Sequence, residues 1–116
     1  MTHYFSMDEI RCPCGCEGLV VDAAFLEIMN AIRAEFGKPM IVNSWYRCEK
    51  HDEEIGGKGR HVTGKAGDFR CHHSLTRWQL ITLALAHGIN RIGIGATFLH
   101  FDVDEDAPTP RIWVYN

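Results

Sequence analysis

Two histidines and an aspartate in this chain have types and spacings that could build a metal site. His61 and Asp68 are seven residues apart, in a segment that contains Gly64 and Gly67. A helix would separate such positions by about 10.5 Å, too far for two ligands that each lie about 2.0–2.2 Å from one zinc ion. Because glycine adopts backbone angles that other residues resist, we expect a turning loop that carries His61, followed by a strand over 66–70 that carries Asp68. The alternative is a surface turn with solvated side chains.

A third candidate ligand, His100, lies in a segment that alternates in the manner of a strand. Residues two apart in a strand point to the same side, so His100 and Asp102 share one face and should line a groove. The opposite, core-facing side would hold Leu99, Phe101 and Val103. A catalytic zinc site takes three protein ligands and keeps a fourth position for water. His61, Asp68 and His100 supply such a set, with two histidines and one carboxylate.

Two further residues are candidates for catalysis. Arg47 follows a short apolar strand, where a guanidinium can hold a carboxylate through two parallel hydrogen bonds. Its alternative is a surface cation stacked on Trp45 or Tyr46. Asp102, the carboxylate nearest to His100 along its strand face, is predicted either to transfer protons or to orient an imidazole.

The cysteines allow more than one interpretation. Five are present, an odd number for a disulfide framework: Cys12, Cys14, Cys16, Cys48 and Cys71. The first three are close enough together to bind a metal, but they lack a second pair at zinc-finger spacing. A tight turn with small, half-buried thiols is the alternative. Cys48 and Cys71 could pair in an oxidising compartment, which spacing alone does not show.

The elements that must position these residues indicate an α+β fold. Ser6 begins a capping box that predicts a short helical turn, and Asp22 caps an amphipathic helix that ends at Gly37. A short exposed helix is expected over 48–55. A second long helix, over 75–86, follows Ser74 as its cap and is apolar on most faces, so it should be well buried. Strands are predicted near 40–44, 66–70, 91–95, 97–103 and 111–115, forming a mostly antiparallel sheet with the helices packed on one side.

Composition limits the classes of function. With 116 residues, 46% of them hydrophobic, the chain is expected to form a single domain over 1–116. A net charge of −3 with interspersed signs argues against nucleic-acid binding. The sequence has neither an apolar run of about 18 residues nor a secretory leader, so we expect no membrane insertion and a cytoplasmic protein as synthesised. We also expect a monomer.

Taken together, these segments resemble the zinc D-Ala-D-Ala carboxypeptidase family, which shares the hedgehog-type fold. The resemblance rests on the patterns SWYR at 44–47, HxxGxAxD at 61–68, FLHFD at 98–102 and RxW at 111–113. It is strongest to small single-domain members from phages and prophages, of the endolysin type. It implies that the matching His61, Asp68 and His100 bind zinc and that Arg47 binds the carboxylate end of a peptide.

The implied activity is zinc-dependent hydrolysis of peptidoglycan stem peptides at a D-Ala bond or cross-bridge, with access to the wall after release from the cell. This chain departs from the family pattern at two positions. Arg60 replaces a frequent serine, and Thr97 stands where several branches have an acidic general base, which leaves Asp102, His51 or the Glu53-Glu54 segment as substitutes. Two alternatives are a catalytically inactive zinc-binding relative that serves as a binding or phage structural module, and a redox or structural zinc protein built on the cysteines.

Overall fold

A five-stranded sheet carries the candidate residues in the computed structural model, which describes residues 3–115. The strands are β1 (Val42–Ser44), β2 (Ala66–Arg70), β3 (Arg91–Ile94), β4 (Phe98–Asp102) and β5 (Arg111–Val114). The helices are α1 (Met7–Ile10), α2 (Ala23–Phe36), α3 (Glu49–Glu54) and α4 (Ser74–Ala86), and a 3-10 turn spans His61–Thr63. The strand order is β1-β2-β4-β3-β5, with every neighbouring pair antiparallel except β3 and β5. The predicted α+β class and its mostly antiparallel sheet are confirmed.

The ends of the first two helices form as the sequence predicts. The Ser6 hydroxyl accepts a hydrogen bond from the Glu9 backbone N–H, and the Glu9 carboxylate accepts one from the Ser6 N–H. At α2 the Asp22 carboxylate accepts from the Phe25 N–H at 2.9 Å. The helix ends where Gly37 takes a left-handed φ of 74°, a conformation that glycine adopts without steric cost.

Helix α4 departs from its prediction. Leu75, Trp78 and Leu85 are exposed, while Leu80 and Ala84 are buried. The helix contacts α2, and Ile81 and Leu83 pack partly buried against the core. The exposure of the three other large apolar residues shows that the expectation of a well-buried helix is wrong. Ser74 is the first helical residue rather than the cap. A helix that is apolar on most faces gives no periodic signal for the side that will be covered.

No helix in the described part of the chain has both the length and the apolar character that crossing a membrane requires.

An aromatic cluster joins the sheet to the helices around Trp45, the residue that follows β1. Its fully buried ring lies 5.2 Å from that of Phe5, 5.2 Å from that of Phe25 and 5.9 Å from that of Phe69. Aromatic pairs at such separations stabilise beyond their buried area. Trp45 therefore ties the N-terminal segment, α2 and β2 to one another.

Replacing Trp45 with Ala should lower the free energy of unfolding by about 3–5 kcal/mol, since it removes a large side chain from a packed interior. Trp78→Ala makes the same chemical change at a residue that is 67% exposed and should alter stability by no more than about 0.5 kcal/mol. Urea denaturation followed by circular dichroism measures both. Equal losses in the two variants would show that the cluster around Trp45 is not the main core.

Candidate metal centre

Three side chains from three elements meet on the sheet. His61 lies in the 3-10 turn, Asp68 in β2 and His100 in β4, and their ligand atoms all lie within 4.8 Å of one another. The Asp68 carboxylate links the two imidazoles, since Oδ1 is 2.7 Å from His100 Nδ1 and Oδ2 is 3.4 Å from His61 Nε2. The structure thus brings together the three residues that the sequence predicts as ligands.

The chain reverses between His61 and Asp68 at one glycine, not at both. Gly64 has a φ of 76°, and an added Cβ would lie 2.6 Å from the Val20 carbonyl oxygen, so no other residue fits there. Gly67 is part of β2 and does not take a left-handed angle. Glycine is required there for lack of space, because an added Cβ would lie 2.7 Å from an atom of the Phe69 ring. The two glycines therefore serve different purposes.

Each imidazole has a hydrogen-bond partner on the side of its ring that faces away from Asp68. His61 Nδ1 lies 2.7 Å from the Trp45 carbonyl oxygen, which can only accept, so Nδ1 carries the proton and donates it. His100 Nε2 lies 2.7 Å from Asp102 Oδ2 and donates to that carboxylate. His61 Nε2 and His100 Nδ1 are the ring atoms that face Asp68, where they can either donate a proton to its carboxylate or offer a lone pair to a metal ion. Metal-binding histidines are normally oriented in this way, and two imidazole nitrogens with one carboxylate suit zinc.

The electrostatics of the cluster favour a positive charge. Burial by itself would raise the pKa of Asp68, but the hydrogen bonds from His100 and His61 outweigh it and hold that pKa well below its usual range. Burial would likewise lower the pKa of His100, yet hydrogen bonds to Asp102 and Asp68 raise it. Two carboxylates on either side of one imidazole thus stabilise a cation at this position.

Asp102 lies behind His100, not in the cleft. Its side chain is fully buried, and Oδ1 accepts hydrogen bonds from Arg91 Nε at 2.8 Å and from the Asp104 N–H at 3.1 Å. Burial would raise the pKa of Asp102, but its hydrogen bonds to His100 and Asp104 and the charge of Arg91 lower it. Of the predicted groove residues, His100 lines the cleft and Asp102 does not.

Sequence reasoning missed the contribution of Arg91. Its guanidinium also donates to the Pro108 carbonyl at 2.6 Å and lies 4.9 Å from the centre of the Trp113 ring. The arginine is buried and stands opposite Asp102 in the pairing of β3 with β4. A charged residue at the start of an otherwise apolar strand was the signal, because a buried arginine needs an anionic partner.

The metal-ligand candidates lie at one side of a cleft of about 500 Å³. The described residues that line it are Arg47, Ile55, Gly56, Gly57, Lys58, Arg60, His61, Asp68, Arg91, Phe98, His100, Trp113 and Tyr115. Arg47 Nη2 is 3.9 Å from Asp68 Oδ2, and its side chain is 11% exposed. Its Nε is buried without a hydrogen-bond partner among the described residues. The guanidinium therefore lies in the cleft, close to the candidate ligands.

Asp52 is a buried carboxylate that pairs with Arg47. It lies in α3, within the segment that the sequence predicts to be exposed, yet its carboxylate is buried, 3.4 Å from Arg47 Nη1. The same carboxylate accepts a hydrogen bond from the Gly59 N–H at 2.9 Å. A Cβ at Gly57 would overlap it, so the glycine-rich segment closes over Asp52 as only glycine permits. That run of glycines was the available signal.

The other positions raised by the sequence lie outside the cleft or at its edge. Arg60 Nη1 pairs with Asp104 Oδ2 at 3.1 Å. Thr97 is exposed, and its carbonyl accepts the Cys71 N–H. His51 and Glu54 line a separate depression beside the cysteines. Among the described residues that line the cleft, Asp68 is the one carboxylate.

The fold and the donor set define an α+β protein with a candidate metal site of two histidines and one carboxylate. The model of the Peptidase M15 family matches residues 3–104, and the chain belongs to that family. The matched range includes the three candidate ligands, Arg47 and Asp102, and it ends before β5. A search of curated proteins finds no match. M15 peptidases are zinc-dependent metallopeptidases, and His61, Asp68 and His100 are candidate metal-binding residues of this member.

Asp102→Asn should lower the free energy of unfolding by about 1.5–3 kcal/mol, because Arg91 and His100 both lose a charged acceptor. Asp106→Asn is the matched control, since Asp106 is exposed and its change should stay within about 0.5 kcal/mol. Chemical denaturation of the two variants in zinc-free buffer makes the comparison. If Asp102→Asn were as stable as its control, the buried pair with Arg91 would not be a structural determinant.

Proposed function

We propose that this M15 peptidase hydrolyses D-Ala-containing peptide bonds of peptidoglycan stem peptides in a zinc-dependent reaction, as a carboxypeptidase or an endolysin-type endopeptidase. The observation that carries the proposal is the position of Arg47, whose guanidinium lies in the same cleft as the three candidate ligands, 3.9 Å from Asp68. A fixed cation beside a metal centre suits a peptide that ends in a carboxylate. The sequence resemblance supplies the D-Ala component of the substrate.

His61, Asp68 and His100 would hold the zinc ion. When bound at such a site, zinc supplies Lewis acidity toward a carbonyl and lowers the pKa of a water molecule to about 7. The protein contributes the orientation of the donors: the Trp45 carbonyl fixes the His61 ring, and Asp102 fixes the His100 ring. Both contacts are buried, so the imidazoles are in place before any substrate arrives.

Arg47 would bind the substrate carboxylate. Asp52 lies 3.4 Å from one end of its guanidinium without a hydrogen bond, and Nη2 lies 3.9 Å from Asp68, so the donors of Arg47 are not consumed by its neighbours among the described residues. Arginine can donate two parallel hydrogen bonds to a carboxylate, which lysine cannot. We therefore assign Arg47 to recognition of the chain end or of another carboxylate in the stem peptide.

Asp102 would act as a positioning residue through His100. Of the two roles that the sequence allows it, the second agrees better with a carboxylate that is fully buried and bonded to Arg91. The scarcity of carboxylates in the described cleft favours one second candidate function, a zinc-binding module that recognises the stem peptide without cleaving it. Cell-wall hydrolysis separates the two candidates.

The test of the proposed reaction uses the full chain loaded with zinc, purified cell wall and a peptide that ends in D-Ala-D-Ala. We expect release of amino groups, and His61→Ala should remove one zinc equivalent and lower the rate at least about 100-fold. The control is His72→Ala, because His72 is exposed and lies two residues after the end of β2. If zinc were bound at His61 and the chain bound the peptide without cleaving it, we would conclude that the protein is the binding module and not a peptidase. If His61→Ala retained as much zinc as the unchanged chain, His61 would not be a ligand and the metal would be bound elsewhere.

Arg47→Lys tests substrate recognition. It keeps the charge but loses the paired donors, so kcat/KM should fall about 10–100-fold with zinc retained, the range expected for a charged hydrogen bond. The loss should disappear for a peptide whose terminal carboxylate is amidated, since that substrate has no anion to bind. Arg70→Lys, at an exposed position of β2, is the matched control. An equal loss on both peptides would mean that Arg47 does not read the carboxylate.

A further inference from the structure

We propose that Cys12, Cys14, Cys16 and Cys48 bind a second zinc ion in a closed four-thiolate site, separate from the candidate ligands in the cleft. The sulfur atoms of all four lie within 4.8 Å of one another. The sequence shows three of these cysteines as a cluster, and the fold adds the fourth from the start of α3. Four cysteine ligands at the corners of a tetrahedron form a common structural zinc site.

The separations of the sulfur atoms match this geometry. A tetrahedron with zinc–sulfur bonds of about 2.3 Å places its sulfurs about 3.8 Å apart. The Sγ atoms of Cys12 and Cys14 are 3.4 Å apart, and those of Cys14 and Cys48 are 3.7 Å apart. A disulfide requires about 2.05 Å, and all five cysteines are free thiols in the described chain. The distances therefore suit a shared cation.

The backbone around the cysteines is shaped to bring the sulfurs together. Two residues in this turn have left-handed angles, Gly15 with a φ of 87° and Glu17 with a φ of 60°. Glu17 is the one residue other than glycine with a positive φ among those described. Such a conformation is costly for a side-chained residue and persists where the surroundings enforce it. The turn is closed by a hydrogen bond from the Cys12 N–H to the Gly18 carbonyl at 3.1 Å.

Backbone N–H groups point at three of the sulfurs. The Cys48 N–H donates to Cys12 Sγ at 3.3 Å, the Gly18 N–H to Cys16 Sγ at 3.3 Å and the His51 N–H to Cys48 Sγ at 3.4 Å. Donors of this kind stabilise the thiolate form, which is the form that binds metal. Outer hydrogen bonds also hold metal ligands in their orientation.

The site would fasten the N-terminal segment to the segment after β1. Cys12 is buried, Cys48 is half-buried, and Cys14 and Cys16 are exposed, so a metal ion can enter from solvent. The two segments are already joined by the Tyr46 N–H, which donates to the Ile10 carbonyl at 2.9 Å. Structural zinc contributes directly to folding free energy. We thus expect this ion to stabilise the chain rather than to take part in hydrolysis.

Protection of the thiols tests the site without any substitution. The full chain, purified under reducing conditions, is alkylated with and without zinc, and the modified cysteines are mapped by mass spectrometry. Cys14 and Cys16 should react quickly in the metal-free chain and at least about 10-fold more slowly with zinc, because a bound thiolate is a poor nucleophile. Equal rates in the two conditions, or a disulfide within the cluster in place of metal, would overturn the proposal.

Metal analysis with cobalt as the probe separates this site from the cleft. His61→Ala should still bind one cobalt ion and show the thiolate-to-cobalt charge-transfer absorption that histidine and carboxylate ligands cannot produce. Adding Cys14→Ser and Cys16→Ser should abolish that band, remove the ion and lower the Tm measured with zinc by at least about 5 °C. Cys71→Ser, the same change outside the cluster, should leave the band intact. A His61→Ala chain without the thiolate band would refute the four-cysteine site, whatever the peptidase activity of the protein.

Discussion

The register of β2 against β4 is the constraint on which the candidate metal centre depends. It sets Asp68 directly opposite His100, and the next pair along, Phe69 and Leu99, lies on the other side of the sheet in the core. Because side chains alternate along a strand, a slip of one residue would exchange the two faces. The free energy gained by burying Phe69 and Leu99 therefore holds the candidate ligands in place. Hydrophobic packing on one face determines the polar geometry on the other.

Two arginines around the site each pair with a buried aspartate. Arg91 pairs with Asp102 behind His100, and Arg47 pairs with Asp52 beneath the cleft. A buried charge without a partner is costly, whereas a paired and hydrogen-bonded one is tolerated. Asp102 accepts hydrogen bonds from Arg91 and from the His100 imidazole, and Asp52 lies 3.4 Å from the Arg47 guanidinium. Pairing therefore allows these charges to be buried beside the cleft.

The four residues after β1, 45–48, contact the aromatic core, the N-terminal segment, the cleft and the cysteine cluster in turn. Trp45 fills the aromatic core, and its carbonyl holds the His61 ring. The Tyr46 backbone joins the N-terminal segment, Arg47 reaches the cleft, and Cys48 completes the cysteine cluster. A change in the position of this short segment would alter the core, the candidate metal centre and the cysteines at once.

Local pattern by itself predicted most of the elements of this protein, and residue types together with the family resemblance predicted the candidate ligands. Alternation in β4 identified the faces of Leu99 and His100, and the caps at Ser6 and Asp22 placed two helices, because such signals act between residues close in the chain. Only the tertiary structure decided the rest. Asp52 is buried, Arg91 pairs with Asp102, and the apolar helix α4 is partly exposed. Cys48 lies in a cluster with Cys12, which is 36 residues earlier in the chain. Those outcomes depend on contacts between distant segments, and periodicity and spacing carry no information about which segments meet.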